Sequence, residues 1–211
     1  LIFFLFPSII GVTIFRDYKS EMHSILYSYP FTKSSYLFAK FLSGLLIVSI
    51  IVLSVGLGVI IGFRLPGTNS EIIETFNFSS YLYTYLVYVI PNSILFGAIV
   101  FAVVTFTRNI ASGFIAIVIV MFIQGLMSSL LSEEENRFIA GLIDPYGDSA
   151  LKYYTRYWTV AEQNEVALPF KGLIVYNRLL WLGISSLIFG FVYKKFSFAQ
   201  NPLSLSIFRK K

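Results

Sequence analysis

Apolar residues in this chain do not alternate with polar ones; they run in long unbroken blocks separated by short polar joints. Blocks at residues 41–62, 81–106, 111–131 and 173–193 hold 22, 26, 21 and 21 residues. At about 1.5 Å of rise per residue, each makes a helix of roughly 30 Å or more, enough to cross a hydrocarbon core of about 30 Å. A fifth block, residues 1–15, is shorter, and the chain opens inside it without a Met. The pattern predicts an all-α, polytopic helical membrane protein with about five transmembrane helices present, and a sequence preceded by further residues.

The polar joints then carry the remaining information. Residues 16–40 read RDYKSEMHSILYSYPFTKSSYLFAK. Met22, Ile25, Leu26 and Tyr29 fall at i, i+3, i+4 and i+7, one face of a short amphipathic helix that Pro30 ends. Asp17 is placed to cap its start, and Lys40 to snorkel at the membrane boundary. Such a helix either lies in the headgroup layer or docks into a cytosolic partner. His23 is the single histidine, which excludes a multi-histidine metal site.

Pro66-Gly67 marks a turn in the next joint, where Asn77-Phe78-Ser79 also fits the glycosylation acceptor pattern. Tyr81, Tyr83, Tyr85 and Tyr88 follow, as an interfacial aromatic belt would. Pro91 predicts a kink, with Asn92 placed to satisfy the backbone group it frees. Only Arg108 and Asn109 separate two apolar blocks, which predicts a tight antiparallel pair. Gln124, alone among Ile, Met and Leu, is expected to hydrogen-bond to a neighbouring helix, and Gly56, Gly58 and Gly62 to permit close helix contact.

Residues 132–172 form the longest joint. Phe138, Ile139, Leu142 and Ile143 give one apolar face up to a turn at Asp144-Pro145-Tyr146-Gly147. A second helical piece begins near Ser149 and reaches the aromatic cluster Tyr153, Tyr154, Arg156, Tyr157 and Trp158. Thr159 and Glu162 match a capping box for a third piece, ended by Pro169. So much aromatic surface predicts interfacial or re-entrant helices. Arg156 is read either as an anchor paired to Asp148 or Glu162, or as a ligand for a phosphate headgroup or substrate anion; Arg178 is expected to snorkel outward.

Charge adds orientation. With residues 16–40 on the cytoplasmic side, ten Lys and Arg lie inside against six outside, as the positive-inside rule favours. Only 13% of residues are charged and mean hydropathy is +0.76, which leaves too little polar surface for a soluble domain of this size. The net charge of +5 is therefore a topology and lipid-surface signal, and no nucleic-acid-binding pattern accompanies it. There is no cysteine, no H-E-x-x-H, no G-x-S-x-G and no phosphate-binding G-x-x-x-x-G-K-[ST], so no catalytic residues and no cofactor or metal ligands are assigned. No charge sits at a block's centre, which argues against an ion-coupled carrier.

The order of blocks and joints, with “RDYKSEMHSILYSYPFTKSSYLFAKFLSG”, “IDPYGDSALKYYTRYWTVAEQN” and “NRLLWLG”, resembles the membrane subunit of ABC-2 type transporters. The second and third stretches are similar to Bacteroidetes-type permeases, some of which carry a C-terminal M1-family aminopeptidase. The resemblance implies a partial permease domain over residues 1–211, lacking its first helix and with any peptidase lying beyond Lys211. It implies that residues 17–30 are a coupling helix touching an ABC ATP-binding subunit, which would hold the ATP and Mg. It also implies a second permease subunit, identical or different, and a multi-pass place in the cell inner membrane. The competing reading is a non-transport anchor or scaffold for an attached peptidase or envelope complex.

Overall fold

A computed structural model describes residues 2–22, 30–62, 64–65, 78–130, 134–159, 162 and 166–198. Among these residues every regular element is helical. The first block follows a helical path that changes pitch twice. It runs from a 3₁₀ turn, Ile2–Phe4, through a π segment, Pro7–Gly11, to α1, Val12–Lys19. Then come α2 (Lys33–Gly62), α3 (Phe78–Thr84), a π segment (Tyr85–Val89) and α4 (Ile90–Thr107). α5 (Ile110–Leu130), α6 (Arg137–Ile143), α7 (Asp148–Thr155) and α8 (Leu173–Lys195) complete the order. Among the described residues four stretches are long and apolar enough to cross a membrane: Lys33–Gly62, Phe78–Thr107, Ile110–Met127 and Leu173–Lys195.

α2 begins eight residues before its apolar block. Thr32 explains the early start, because its hydroxyl accepts the Ser35 backbone N–H at 3.2 Å, satisfying a donor the helix leaves open. At 30 residues α2 is about 45 Å long, more than a straight crossing requires. Its surface is apolar and exposed at Leu42, Leu46, Ile50, Leu57 and Ile61, the exposure expected of lipid-facing side chains. Gly56, Gly58 and Gly62 have open space where a Cβ would stand, so among the described residues no helix makes the close contact they could allow.

Pro91 does not break its helix. The pitch widens in the preceding π turn, where the Ile90 N–H reaches Tyr85 O, and α4 continues through the proline. The joint at Arg108 and Asn109 is as tight as expected. Arg108 takes a left-handed φ of 53°, its N–H closes on Val104 O at 2.8 Å, and Asn109 Oδ1 caps α5 by accepting the Ala111 N–H at 2.9 Å.

Contacts divide the chain into two compact units. The first comprises residues 1–48, 96–119 and 185–211. Its core joins Ile10, Ile14, Leu37, Phe41, Val100 and Phe101, all buried. Gly44 lets α2 approach the first helical path so closely that a Cβ there would stand 3.0 Å from Ile10 Cα. Phe41, Phe101 and Phe189 form an aromatic triangle with centroids 5.2–5.8 Å apart.

The second unit comprises residues 49–95 and 120–184. Here α6 and α7 form a small hairpin against the start of α8, with Ala150, Leu173 and Ile174 as its buried centre. The apolar face expected of α6 divides: Leu142 packs on that centre, whereas Phe138, Ile139 and Ile143 are exposed. Tyr83 and Tyr85 donate to Pro169 O at 2.8 Å and Ser49 O at 2.7 Å, so these tyrosines tie segments together as well as forming a belt.

Candidate functional site

Among the described residues three arrangements carry polar chemistry, the first at the base of the 16–40 joint. Asp17 does not cap a following helix; it lies inside α1, buried, and accepts the Tyr36 hydroxyl at 2.8 Å and the Lys40 ammonium at 2.7 Å. Lys40 therefore does not snorkel. A carboxylate shielded from lipid and water is stabilised by a paired cation and a donated hydroxyl. Tyr36 also stacks between Phe31 and Phe196, with centroids 5.8 and 5.6 Å away, and Lys33 sits over the Tyr193 ring. The helices on both sides of the joint are thus fastened to each other and to the last turn of α8. Met22 is described and 47% exposed; Ile25, Leu26 and Tyr29 lie outside the described residues.

The second arrangement is a buried polar node. Asn177, one turn into α8, spreads its amide N–H groups over Gly141 O, Leu142 O and Asp144 O, at 2.7–3.0 Å. These carbonyls belong to the end of α6, which has no helical partners of its own for them. The Asn177 carbonyl oxygen accepts Arg178 Nε at 2.9 Å, and Arg178 Nη1 donates to Asn92 Oδ1 at 2.9 Å. Arg178 is 5% exposed and lies over the Tyr88 ring, so the outward snorkel expected of it does not occur. Nor does Asn92 serve its own helix: its amide donates to Tyr146 O at 3.1 Å. A charge is accordingly held within an apolar block, against the expectation from the run alone; amide oxygens and an aromatic face replace its water.

Gly147 makes the node possible. Its φ of 81° suits glycine, and a Cβ there would collide with Arg178 Nη2. The same turn orients Asp144. This buried carboxylate accepts Gln124 Nε2 at 2.6 Å, Tyr146 N at 2.9 Å and Ser149 N at 2.8 Å, the last of these capping α7. Gln124 thus meets a turn carboxylate, not the neighbouring membrane helix expected for it. Burial and the Asp144 charge both push the Tyr146 phenol upward.

The third arrangement is a cavity of about 800 Å³ reaching from Gln124 and Met127 on α5 to α6 and α7. Asp148, Ser149, Lys152, Tyr153, Arg156 and Tyr157, at i, i+1, i+4, i+5, i+8 and i+9, all line it. The opposite face of α7 is held by the hairpin centre and by Tyr154, whose hydroxyl accepts the Leu173 N–H at 3.0 Å. Asp148 pairs with Lys152 and raises the ammonium's pKa. Thr159 and Glu162 form the reciprocal capping box: Thr159 N–H reaches Glu162 Oε2 at 2.7 Å, and Glu162 N–H reaches Thr159 Oγ1 at 3.3 Å. These hydrogen bonds hold the Glu162 pKa below its ordinary value. Arg156 lies over the Tyr157 ring, its guanidinium 5.6 Å from the centroid. Trp158 closes the piece, its N–H on Thr155 O at 3.1 Å.

The structure therefore gathers Tyr153, Arg156, Tyr157 and Gln124 around one cavity and places Asn92 in the node. Sequence reasoning missed Asn177, Asp144 and the Asp17–Lys40 pair. The available signal was an Asn-Arg dipeptide inside an apolar block, because ionisable groups at that depth need partners.

Comparison with known proteins gives one family: the model described as ABC-2 family transporter protein matches residues 2–152. No curated protein and no solved structure matches.

Proposed function

We propose that this chain, which belongs to the ABC-2 family of transporter proteins and is the membrane-spanning permease component of an ABC transporter, moves its cargo by rearrangement of two permease halves in the cell inner membrane. Separate ATP-binding subunits hold the ATP and Mg, and their closure is the energy input. The observation that carries this reading is the family match, which includes the 16–40 joint and three of the four crossing helices.

The base of that joint supports the reading physically. The Asp17–Lys40 pair and the Tyr36 hydrogen bond tie α1 to α2, the helices on either side of the joint. Movement imposed on the joint by a docked subunit reaches both helices together. Met22, Ile25, Leu26 and Tyr29 are the proposed docking residues; contact through apolar surface and backbone transmits force without catalytic side chains. Asn92 and Gln124, both engaged in bonds that brace the 144–147 turn, are assigned to bracing and not to a cargo path.

The test is affinity co-purification of the full-length protein from native membranes under mild solubilisation. An ATP-binding subunit is expected with the wild type and is lost with Ile25→Asp plus Leu26→Asp, while membrane insertion is unchanged. Recovery of intact permease with no ATP-binding subunit overturns the coupling reading and favours a membrane anchor for a peptidase or envelope complex.

A further inference from the structure

We propose that Phe196 and Phe198, where the chain leaves α8, form an aromatic strap that seals the Asp17–Lys40 ion pair, so that the coupling of α1 to α2 depends on how the exit of α8 is held. The consequence for transport rests on the role of the 16–40 joint as the coupling segment. α8 ends at Lys195, and the Phe196 N–H still closes on Val192 O at 2.8 Å. Phe198 lies beyond that bond, in a stretch with no regular structure.

Four rings meet there. Phe198 stands edge-on to Phe31 at 6.0 Å and to Phe196 at 5.4 Å, and its centroid is 5.8 Å from that of Tyr36. Tyr36 is itself stacked on Phe31 and Phe196, at interplanar angles of 11° and 24°. These separations lie in the range where aromatic pairs attract. Phe31 precedes α2, Tyr36 lies in its first turn, and the other two rings follow α8, so distant parts of the chain close on one phenol. A ring held between two stacked neighbours cannot tilt. That fixes its hydroxyl, which donates to Asp17 at 2.8 Å.

The strap covers a charge pair whose strength depends on dryness. Asp17, Tyr36 and Phe196 are buried, and Lys40 both reaches Asp17 at 2.7 Å and lies over the Tyr36 ring at 5.7 Å. Opposite charges in such poorly solvated space attract more strongly than in water, so water admitted beside Tyr36 slackens the pair. Phe198 is 37% exposed, which makes it a cover that lifts without opening the core. Lys33, whose ammonium lies 4.9 Å over the Tyr193 ring, provides a separate tie between α2 and the last turn of α8. The strap can therefore release while the helices stay together.

The decisive experiment treats the full-length protein in nanodiscs with a water-soluble acetylating reagent and follows each lysine by mass spectrometry. In the wild type Lys40, with its side chain 21% exposed, is expected to react slowly beside Lys152, at 70%. Phe196→Ala plus Phe198→Ala is expected to raise the Lys40 rate about five-fold, the opening that loss of one ring contact allows, with Lys152 unchanged. Phe198→Leu, which keeps the bulk of the cover, is expected to stay near wild type. An unchanged Lys40 rate in the double alanine variant overturns the seal. A rise at both lysines reports unfolding, and a second measurement, which leaves Tyr36 and Phe196 in place, then decides. The chain has no cysteine, so Phe31→Cys plus Phe198→Cys supplies the only thiols, and a short bifunctional thiol reagent is expected to bridge them. Absence of the bridge overturns the strap. In the assembled transporter, Phe198→Ala is expected to keep the ATP-binding subunit bound and to lower cargo-dependent ATP turnover; full turnover alongside a faster Lys40 overturns the part of the strap in coupling. Labelling and bridging use the permease alone, so they stand or fall separately from the coupling reading.

Discussion

Arg178 shows how a membrane helix carries a charge it cannot expose. Its guanidinium is satisfied by Asn177 and Asn92 and faced by the Tyr88 ring, in a space that Gly147 leaves open. Removing the cation strands two buried amide oxygens, each costing about 1–3 kcal/mol. Arg178→Met is therefore expected to destabilise the protein by roughly 3 kcal/mol, seen as a lowered midpoint in detergent thermal denaturation. Gly147→Ala, which combines a left-handed φ with a clash at the guanidinium, is expected to act in the same direction; an unchanged midpoint for both would refute the node. Glu162 carries a smaller, pH-dependent contribution. Its folded pKa is depressed by the Thr159 hydrogen bonds, so its contribution is present above the ordinary carboxylate range and lost as pH falls through the depressed value. Amide exchange at Thr159 should accelerate over that acidic window, beyond its intrinsic pH dependence, and Glu162→Gln should abolish the extra change.

Among the elements, α1 and α2 are coupled through one ion pair. A double-mutant cycle of Asp17→Asn and Lys40→Met should reveal a coupling energy of about 1–3 kcal/mol, and additive effects would deny the pair. In the assembled transporter, Lys40→Met is expected to leave the ATP-binding subunit bound while reducing cargo-dependent ATP turnover; unchanged turnover would show that the pair transmits nothing. Legibility was uneven at this scale. Unbroken apolar blocks announced the crossing helices because only spanning length explains them, and Gly147 announced a turn through its own backbone chemistry. The onset of α2 at Lys33 was hidden because residues 33–40 look polar, although Tyr36 and Leu37 are buried. Asn177 was hidden for a different reason: its partners are the carbonyls of a hairpin more than thirty residues earlier, and hydrogen bonds that distant leave no local periodicity.

For the whole molecule, the surface of the crossing helices confirms the environment that composition implied. Within their most apolar stretches, α2 and α5 are only 11% buried by the rest of the chain, whereas the Phe78–Thr107 stretch is 56% buried. Isolated charges placed on the open faces should therefore matter more to lipid insertion than to folding contacts. Leu46→Lys is expected to lower membrane integration, read by carbonate extraction, while an unaffected yield would argue against lipid contact there. Side-chain chemistry around the cavity was only partly legible, since Tyr153, Arg156 and Tyr157 stand out in the sequence but their meeting with Gln124 and Met127 depends on the fold. The buried arginine also bears on biogenesis. α8 has the lowest mean hydropathy of the four crossing helices, and its Arg178 is satisfied by a residue 86 positions earlier. As the ribosome delivers it, α8 is a poor client for the translocon until the helix bearing Asn92 is already in the bilayer, so the order of synthesis becomes part of how the protein is assembled.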